Sequence, residues 1–434
     1  MSAKYFAQFL KSKILDHKKL GLATGLLLTN YYMENCKLDS KKESFIQQMY
    51  SWGYGNFGQL GLGNEQTKFV PTEVFSVDGG NVAQLETRKS VSALITKDGK
   101  VYTWGKNKYR VLGIISNDTN ITLPTQVQEL DNVNIVQISC GVTHMMALDS
   151  DGKVYSWGNT EHGKLGHSYE VEERKGSKTH YYTNSHLQIG AHPKQVEGLP
   201  ENTKIVQISC GFQHSVLLSD KGEVFTLGLN KKGALGVETA KLENYQPVQV
   251  ESLKNQKIVK IGTGLDFTLA LNDKGQLFSW GNNNYGQLGN GTDVMSITPQ
   301  KVQHGALKIQ NISCGDYYSA ALTQDGRIFT WGYGSDGQLC LKSKEDVYIP
   351  SYVNWSKKAD QISCGSGHVA VISNGDLYMF GRGREGQLGL GDTISSETTY
   401  RTDPKQVVFF QKNQKVIQAK AGGEHTLALV QTAQ

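Results

Sequence analysis

Cysteine and histidine, two residue types that can bind metals or take part in catalysis, recur at matching positions along the chain. The pattern is Ile-Ser-Cys-Gly-x-x-His, with cysteines at Cys140, Cys210, Cys314 and Cys364 and histidines at His144, His214, His368 and His425. Thiolate and imidazole groups bind zinc, and both take part in catalysis. However, Phe267 and Tyr318 fill the histidine position in two copies, so we expect that position to serve packing and hydrogen bonding. The in-phase cysteines are likewise predicted to pack as small residues rather than to pair or to bind metal.

A second group of histidines lies in one long insertion, between Gly166 and Pro193 and just before it. Its members are His162, His167, His180, His186 and His192. Their spacing matches no zinc pattern and no cysteine joins them, so we expect the insertion to decorate a partner-binding face. A Gly-x-Gly-x-x-Gly string at 381–386 lacks a following helix, and no phosphate loop or nucleophile elbow is visible. We therefore expect a protein that is not an enzyme, with no catalytic residue, no cofactor and no metal.

The elements that position these residues belong to a repeat whose clearest copy is Phe278-Ser-Trp-Gly-Asn-Asn-Asn-Tyr-Gly-Gln-Leu-Gly289. Its Trp-Gly step returns along the chain, with leucine or phenylalanine replacing tryptophan in two copies. The steps begin at Trp52, Trp104, Trp157, Leu227, Trp280, Trp331 and Phe380. They are 49 to 53 residues apart, except for one gap of 70 that holds the insertion. A period near fifty with this signature predicts a β-propeller with one blade per repeat.

The cysteine-histidine segment forms the other half of the repeat and runs in phase with the first. Seven copies predict seven blades, although the copy between Val82 and Ile95 has lost its glycine and histidine. Asp-Gly and Asn-Gly pairs predict hairpin turns, and in-phase prolines mark outer edge strands. The first repeat starts midway, near Met49. We therefore expect residues 49–76 to supply the outer strands, and 415–430 the inner strands, of one closing blade.

The two motifs, joined by an Asp-Gly turn, resemble the regulator of chromosome condensation (RCC1) repeat family over roughly residues 49–431. The resemblance implies an all-β, seven-bladed propeller. It implies less about function, because the family ranges from guanine-nucleotide exchange factors to plain scaffolds. Members that exchange nucleotides on a small GTPase use acids and histidines exposed at such turns, together with a protruding wedge. That resemblance makes Asp266, Asp316 and Glu424 the candidates for an exchange face, although the neutral ring and the apolar N-terminal region depart from the exchange factor's pattern.

The net charge of +5 is confined to the N-terminal region. Residues 1–42 hold eight lysines against three acids, so the rest of the chain carries 37 charges of each sign. A neutral ring is a poor partner for nucleic acid, whose phosphates require a basic surface. We therefore expect no nucleic-acid binding by the propeller. Unpaired cysteines favour an intracellular compartment.

The N-terminal region, residues 1–48, is predicted to be a helical extension and connector. Residues 4–15 carry Phe6, Leu10 and Ile14 on one helical face among lysines, which is typical of a basic amphipathic helix. Residues 20–33 lack charge, and as a helix they would span about 21 Å, less than a roughly 30 Å hydrocarbon core. Four interpretations compete: a cleaved secretory signal, which the long basic start disfavours, a mitochondrial presequence, a short membrane anchor, and a helix packed on protein. The candidate anchor residues are Leu20, Leu22, Leu26, Leu27, Leu28, Tyr31 and Tyr32.

These observations favour a non-enzymatic scaffold or accessory subunit with a propeller at residues 49–431. In this hypothesis the propeller binds proteins, and residues 5–33 tether it to a membrane or a large membrane-associated complex. The acid-poor start favours the mitochondrial inner membrane, with cytoplasm and nucleus as alternatives. The competing functions are nucleotide exchange on a small GTPase and chromatin binding through the lysine-rich region.

Overall fold

Twenty-eight β-strands form the propeller in the computed structural model, which describes residues 45–167, 189–239, 241–391 and 399–434. The first fourteen are β1 Phe45–Gly53, β2 Lys68–Glu73, β3 Val82–Arg88, β4 Val91–Thr96, β5 Val101–Lys106, β6 Asn120–Gln126, β7 Ile135–Cys140, β8 His144–Asp149, β9 Val154–Asn159, β10 Ile189–Gln195, β11 Ile205–Cys210, β12 His214–Ser219, β13 Val224–Leu229 and β14 Glu243–Gln249. The second fourteen are β15 Ile258–Thr263, β16 Phe267–Asn272, β17 Leu277–Gly281, β18 Ser296–Lys301, β19 Ile309–Cys314, β20 Tyr318–Thr323, β21 Ile328–Gly332, β22 Val347–Tyr352, β23 Gln361–Cys364, β24 His368–Ser373, β25 Asp376–Arg382, β26 Tyr400–Gln406, β27 Gln414–Ala421 and β28 His425–Ala433. Short 3-10 turns lie at Gly79–Asn81, Lys108–Arg110, Gln128–Leu130, Glu161–Gly163 and Glu251–Leu253.

The strands group into seven four-stranded antiparallel sheets, which confirms the predicted seven-bladed, all-β fold. Six blades are continuous in sequence, and we number them from the first blade, β3–β6, to the sixth, β23–β26. The closing blade has the strand order β2-β1-β28-β27, so strands from both ends of the chain share one sheet, as predicted. Nine residue pairs join β1 to β28, from Phe45 with Ala433 to Gly53 with His425. This sheet closes the ring and removes its free edges.

Neighbouring blades are joined by the tryptophans of the repeat. The indoles of Trp52, Trp104, Trp157, Trp280 and Trp331 are fully buried. Each indole N–H donates at 2.9 Å to a carbonyl of the preceding blade, on Gln387, Gln59, Val111, Ala234 and Gln287 respectively. The buried hydrogen bond explains why an aromatic residue with a donor recurs at this position.

Glutamines on the innermost strands form a second set of links around the central channel. The amide of Gln137 donates to the Ile208 carbonyl at 3.2 Å and accepts from the Ile208 N–H at 3.0 Å. Gln84 makes the same two hydrogen bonds to the backbone of Ile138, and Gln207 makes them to the backbone of Ile261. These side chains satisfy backbone groups of strands that are not paired in one sheet, so they fix the spacing of the innermost strands.

The turn and edge predictions are also confirmed, while the N-terminal prediction falls largely outside the described residues. Every outermost strand contains its repeat proline, from Pro71 in β2 to Pro404 in β26. The first strand begins at Phe45, four residues before the start expected near Met49. The expected helices at 4–15 and 20–33 lie outside the described part of the chain. No helix within that described part is long and apolar enough to cross a bilayer.

Candidate functional site

One face of the ring carries the turns between first and second strands and between third and fourth strands, and we call it the loop face. The inner turns surround the mouth of the central channel. Backbone hydrogen bonds join one turn to the next, as from Phe212 N to the Leu265 carbonyl at 2.8 Å and from Leu265 N to the Asp316 carbonyl at 3.1 Å. Gly423 N likewise donates to the Lys89 carbonyl at 3.1 Å. These bonds hold the inner turns in fixed relative positions.

The recurring histidines are buried between blades beneath this face. His214 Nε2 lies 3.1 Å from Thr268 Oγ1, and His368 Nε2 lies 3.0 Å from Thr426 Oγ1, each pair bridging adjacent blades. Tyr318 fills the same position and donates its hydroxyl to the His368 carbonyl at 2.9 Å. Burial lowers the pKa of His214 and of His368 to about 3, so both imidazoles are neutral at physiological pH. A position of this kind links blades and does not face solvent.

The in-phase cysteines are free thiols, and all are buried. Burial raises the pKa of the Cys210 and Cys364 thiols to about 12. The thiolate is the form of cysteine that acts as a nucleophile and binds metals. Because these thiols stay protonated at neutral pH, they are unreactive there.

The three candidate exchange-face acids occupy different environments. Asp316 is buried, with 8% of its side chain exposed, and its Oδ1 lies 3.7 Å from Arg88 Nη2. Its other carboxylate oxygen accepts from Lys89 Nζ. Glu424 is partly exposed and lies 3.4 Å from Arg382 Nη2. Burial raises the pKa of Asp266, against a smaller opposing effect of Lys232.

Asp316 and Glu424 line one depression of about 320 Å³ at the channel mouth, whereas Asp266 does not reach it. Lys89, Tyr317, Tyr333 and Arg382 are among the other residues of its wall. The three partly exposed tyrosines of this area stack edge to face, since the ring of Tyr285 lies 5.4 Å from Tyr317 and 4.9 Å from Tyr333. Aromatic rings beside charged groups at a rigid rim are suited to recognising a protein surface.

The most informative residues of this mouth, Arg88 and Lys89, were not predicted from the sequence. They lie in the degenerate repeat, where Arg88 pairs with Val91 and a two-residue turn replaces the longer loop of the other blades. Lys89 has a φ of +49°, which a shorter turn imposes. Its side chain reaches from the first blade to Asp316 in the fifth. The lost Gly-x-x-His motif was the available signal.

The histidines of the insertion do not form one site in the described residues. His162 Nδ1 lies 2.7 Å from Glu243 Oε1, and His192 Nδ1 lies 3.0 Å from Glu129 Oε1, on separate partners. His180 and His186 lie outside the described residues. Across residues 45–167, 189–239, 241–391 and 399–434, no group of three or more potential metal ligands is found.

Comparison with known families decides the identity of this propeller. The profile of the RCC1-like domain matches residues 181–434, more than half of the chain. Profiles of the regulator of chromosome condensation (RCC1) repeat match residues 48–87, 98–148 and 135–164. The chain belongs to the RCC1 repeat family.

Relatives of this RCC1 repeat protein differ in how much of their length they share with it. E3 ubiquitin-protein ligase HERC2 of Homo sapiens is 32% identical over 389 residues, which are 88% of this chain but only 8% of HERC2. RCC1 domain-containing protein RUG3, mitochondrial, of Arabidopsis thaliana is 28% identical over 426 residues, 90% of each protein. The crystal structure of Prp20p from Saccharomyces cerevisiae has the same fold, with a TM-score of 0.75 at 21% identity over 89% of this chain and 91% of Prp20p.

Proposed function

We propose that this RCC1 repeat protein is a non-enzymatic scaffold or accessory subunit that binds a protein partner with its loop face. The observation that carries the proposal is the mouth of the channel. There the carboxylates of Asp316 and Glu424 are already paired with cations of the same chain, while partly exposed tyrosines surround them. A few residues dominate the binding energy of protein interfaces, and tyrosine is enriched among them.

We further propose that the protein acts in the mitochondrion and that residues 5–33 tether it to a membrane or a membrane complex. The likeness to RUG3, whose name places that protein in mitochondria, extends over 90% of both chains and supports the compartment. The excess of lysine in residues 1–42 and the uncharged stretch at 20–33 support the tether. The proposed anchor residues are Leu20, Leu22, Leu26, Leu27, Leu28, Tyr31 and Tyr32.

The tether is tested by cell fractionation of the full chain and of a variant with Leu26→Asp and Leu27→Asp. We expect the full chain in the mitochondrial fraction, sedimenting with the membranes after the mitochondria are ruptured in a buffer of physiological salt. The double variant should remain in the supernatant of that step. A full chain found outside mitochondria, or one released as readily as the variant, would contradict the tether.

The loop-face partner is tested by affinity capture from mitochondria with quantitative mass spectrometry. We expect Tyr317→Ala combined with Tyr333→Ala to lose partners that the wild-type protein captures. Tyr352→Ala is the matched control, because Tyr352 is an exposed tyrosine at the other end of the fifth blade. Equal capture by all three proteins would show that the loop face is not the binding surface.

The second candidate, nucleotide exchange on a small GTPase, rests on the similarity to Prp20p, which was studied for its binding to Gsp1p and histones. In that case Asp266, Asp316 and Glu424 would contact the GTPase. Purified protein would then accelerate release of a fluorescent guanine nucleotide from a GTPase, and Asp266→Asn would diminish the effect. Chromatin binding, the third candidate, would instead give salt-sensitive affinity for DNA or nucleosomes.

A further inference from the structure

The central channel contains a polar cavity of about 180 Å³ just below the loop face. All seven innermost strands contribute to its wall. The repeat places a serine on four of these strands, at Ser139, Ser209, Ser313 and Ser363. A water molecule needs roughly 10–15 Å³ of such volume, so the cavity can hold more than isolated waters.

Arg88 supplies the dominant charge of this cavity. Only 12% of its side chain is exposed, and its Nε and Nη2 atoms are buried without a hydrogen-bond partner in the described protein. The nearest carboxylate oxygen, Asp316 Oδ1, lies 3.7 Å from Nη2, which is too far for a hydrogen bond. A guanidinium has five N–H donors, and leaving charged donors unpaired in a buried site is costly.

The position of Arg88 is axial. Arg88 lines the cavity together with residues of the six other innermost strands, among them Cys140, Cys210, Cys314 and Cys364. A residue in a wall to which all seven blades contribute lies close to the axis of the ring. It can therefore interact with a ligand that the surrounding blades also contact.

The serine hydroxyls add hydrogen-bond donors to the same cavity. Ser139 Oγ accepts the Cys210 N–H at 3.0 Å, Ser313 Oγ accepts the Cys364 N–H at 2.9 Å, and Ser363 Oγ accepts the Ala421 N–H at 3.1 Å. Each hydroxyl uses a lone pair in this bond, so its own hydrogen remains available for donation. The competing acceptors beside two of them are the sulfur atoms of Cys210 and Cys364, which accept weakly.

The charges of the wall leave an excess of positive charge. Lys420 Nζ lies 2.9 Å from Glu86 Oε2, so these two groups neutralise each other. Asp316, which stands at the mouth rather than in the cavity wall, is shared by two cations: one of its oxygens accepts from Lys89 Nζ, and the other lies 3.7 Å from Arg88 Nη2. These three groups together keep a net charge of +1. Among the described residues that line the cavity, Arg88 is the remaining cation. A donor-rich cavity with one unsatisfied guanidinium has the composition of an anion site.

We propose that the central channel binds one small tetrahedral oxyanion, with Arg88 as its cationic ligand and the serines of neighbouring blades as hydroxyl donors. Phosphate and sulfate share the required shape and charge. Because donors come from separate blades, the bound anion would also link the innermost strands. This site is independent of the partner proposed for the loop face.

Calorimetric titration of the full-length protein with inorganic phosphate, in a buffer without other oxyanions, tests the site. We expect one saturable site per chain, and Arg88→Gln should weaken binding about 10- to 100-fold, the effect of losing charged hydrogen bonds. Arg327→Gln is the matched control, because Arg327 pairs with the exposed Asp325 and should leave binding unchanged. Ser139→Ala combined with Ser363→Ala keeps the proposal testable if Arg88→Gln fails to fold, and should weaken binding as well.

Crystals grown with selenate locate the ion directly. We expect one anomalous selenium peak within hydrogen-bond reach of the Arg88 guanidinium. Absence of saturable phosphate binding, equal binding by Arg88→Gln, or density at Arg88 that fits only water would overturn the proposal.

Discussion

The indole Nε1 of Trp52 donates to the backbone carbonyl of Gln387 at 2.9 Å, and this bond joins residues 335 positions apart in sequence. It lies where the sixth blade meets the closing blade. The backbone of Gly389 also packs closely against this indole, since a Cβ added to Gly389 would lie 2.6 Å from the same Nε1. Gly389 also has a φ of +67°, a conformation that favours glycine. The junction between the sixth and the closing blade therefore uses the same indole contact as four of the other six junctions.

Replacing this indole should weaken the closed ring. We expect Trp52→Phe to lower the free energy of unfolding by about 2 kcal/mol, because it removes a buried hydrogen bond and leaves a small cavity. The Gln387 carbonyl keeps a second donor, Thr426 Oγ1 at 2.9 Å, which limits the loss. Chemical denaturation of both proteins measures the difference.

Trp355 provides the control for that substitution. It is the one tryptophan outside the repeat position, it is half-buried, and its ring packs on Tyr378. Trp355→Phe should change stability much less than Trp52→Phe. Equal losses would mean that the indole bond to Gln387 contributes nothing specific.

The repeat allowed the propeller, the number of blades and the shared closing blade to be predicted from the sequence. The reason is physical, since the repeat reports local requirements: five blades share a buried indole donor, and all seven have an outer edge strand with a proline. The hydrogen bonds from glutamine side chains to the backbone of the next blade, as at Gln137, were not predicted although they recur. Glutamine on a strand is usually a solvent-facing residue, and its role depends on the distance to the next blade.

The residues of the channel mouth were less predictable from the sequence, because they depend on contacts between distant blades rather than on requirements within one repeat. Arg88, Lys89 and Asp316 come together only because the ring folds the first blade opposite the fifth. No spacing in the sequence encodes a contact between residues 227 positions apart. Asp316 was singled out through its turn, but its buried position and its two cationic partners could be seen only in the structure.

Removing the charge of Asp316 should destabilise the mouth. Asp316→Asn leaves the guanidinium of Arg88 and the ammonium of Lys89 without their carboxylate partner in a largely buried environment. We expect a loss of about 3 kcal/mol in the free energy of unfolding, as for other broken buried ion pairs. Thermal and urea denaturation check this value. Asp325→Asn breaks an exposed pair with Arg327 and should have no measurable effect, and a similar loss in both variants would contradict the assignment.

The buried histidines should make the protein sensitive to acid. Burial lowers the pKa of His214 in the folded state to about 3, from the usual histidine value of 6.5. Between pH 6.5 and pH 3 the unfolded chain therefore binds more protons than the folded chain. The contribution of His214 to the free energy of unfolding is fully present above about pH 6.5 and is lost as the pH falls toward 3. Urea denaturation between pH 7 and pH 5 should show this loss.

His214→Phe isolates the contribution of one histidine, because Phe267 occupies the same repeat position in the next blade. Its Thr268 partner keeps a hydrogen bond to the Ala234 carbonyl at 3.3 Å. We expect the variant to lose stability less steeply in acid, by up to about 1.4 kcal/mol per pH unit. An unchanged slope would mean that His214 does not titrate on unfolding.

Lys164 is fully buried, and its replacement is expected to stabilise the protein rather than to destabilise it. Lys164 occupies the repeat position that holds Gln59 and Gln287 in other blades, and its Nζ donates to Asn159 Oδ1 and to the Glu161 carbonyl, both at 2.7 Å. Burial lowers its pKa from 10.5 to about 7. The folded state therefore loses stability as the pH falls from 10.5 to 7, and the cost of burying the ammonium is complete below pH 7.

Lys164→Gln removes this cost. We expect the variant to be more stable than the wild type by about 1–3 kcal/mol near pH 7, with an advantage that shrinks as the pH approaches 10. Denaturation curves across this range measure the gap, and Lys231→Gln, at an exposed position of the loop face, should leave the pH dependence unchanged. A variant that is less stable at every pH would show that the two hydrogen bonds of the ammonium outweigh the cost of its burial.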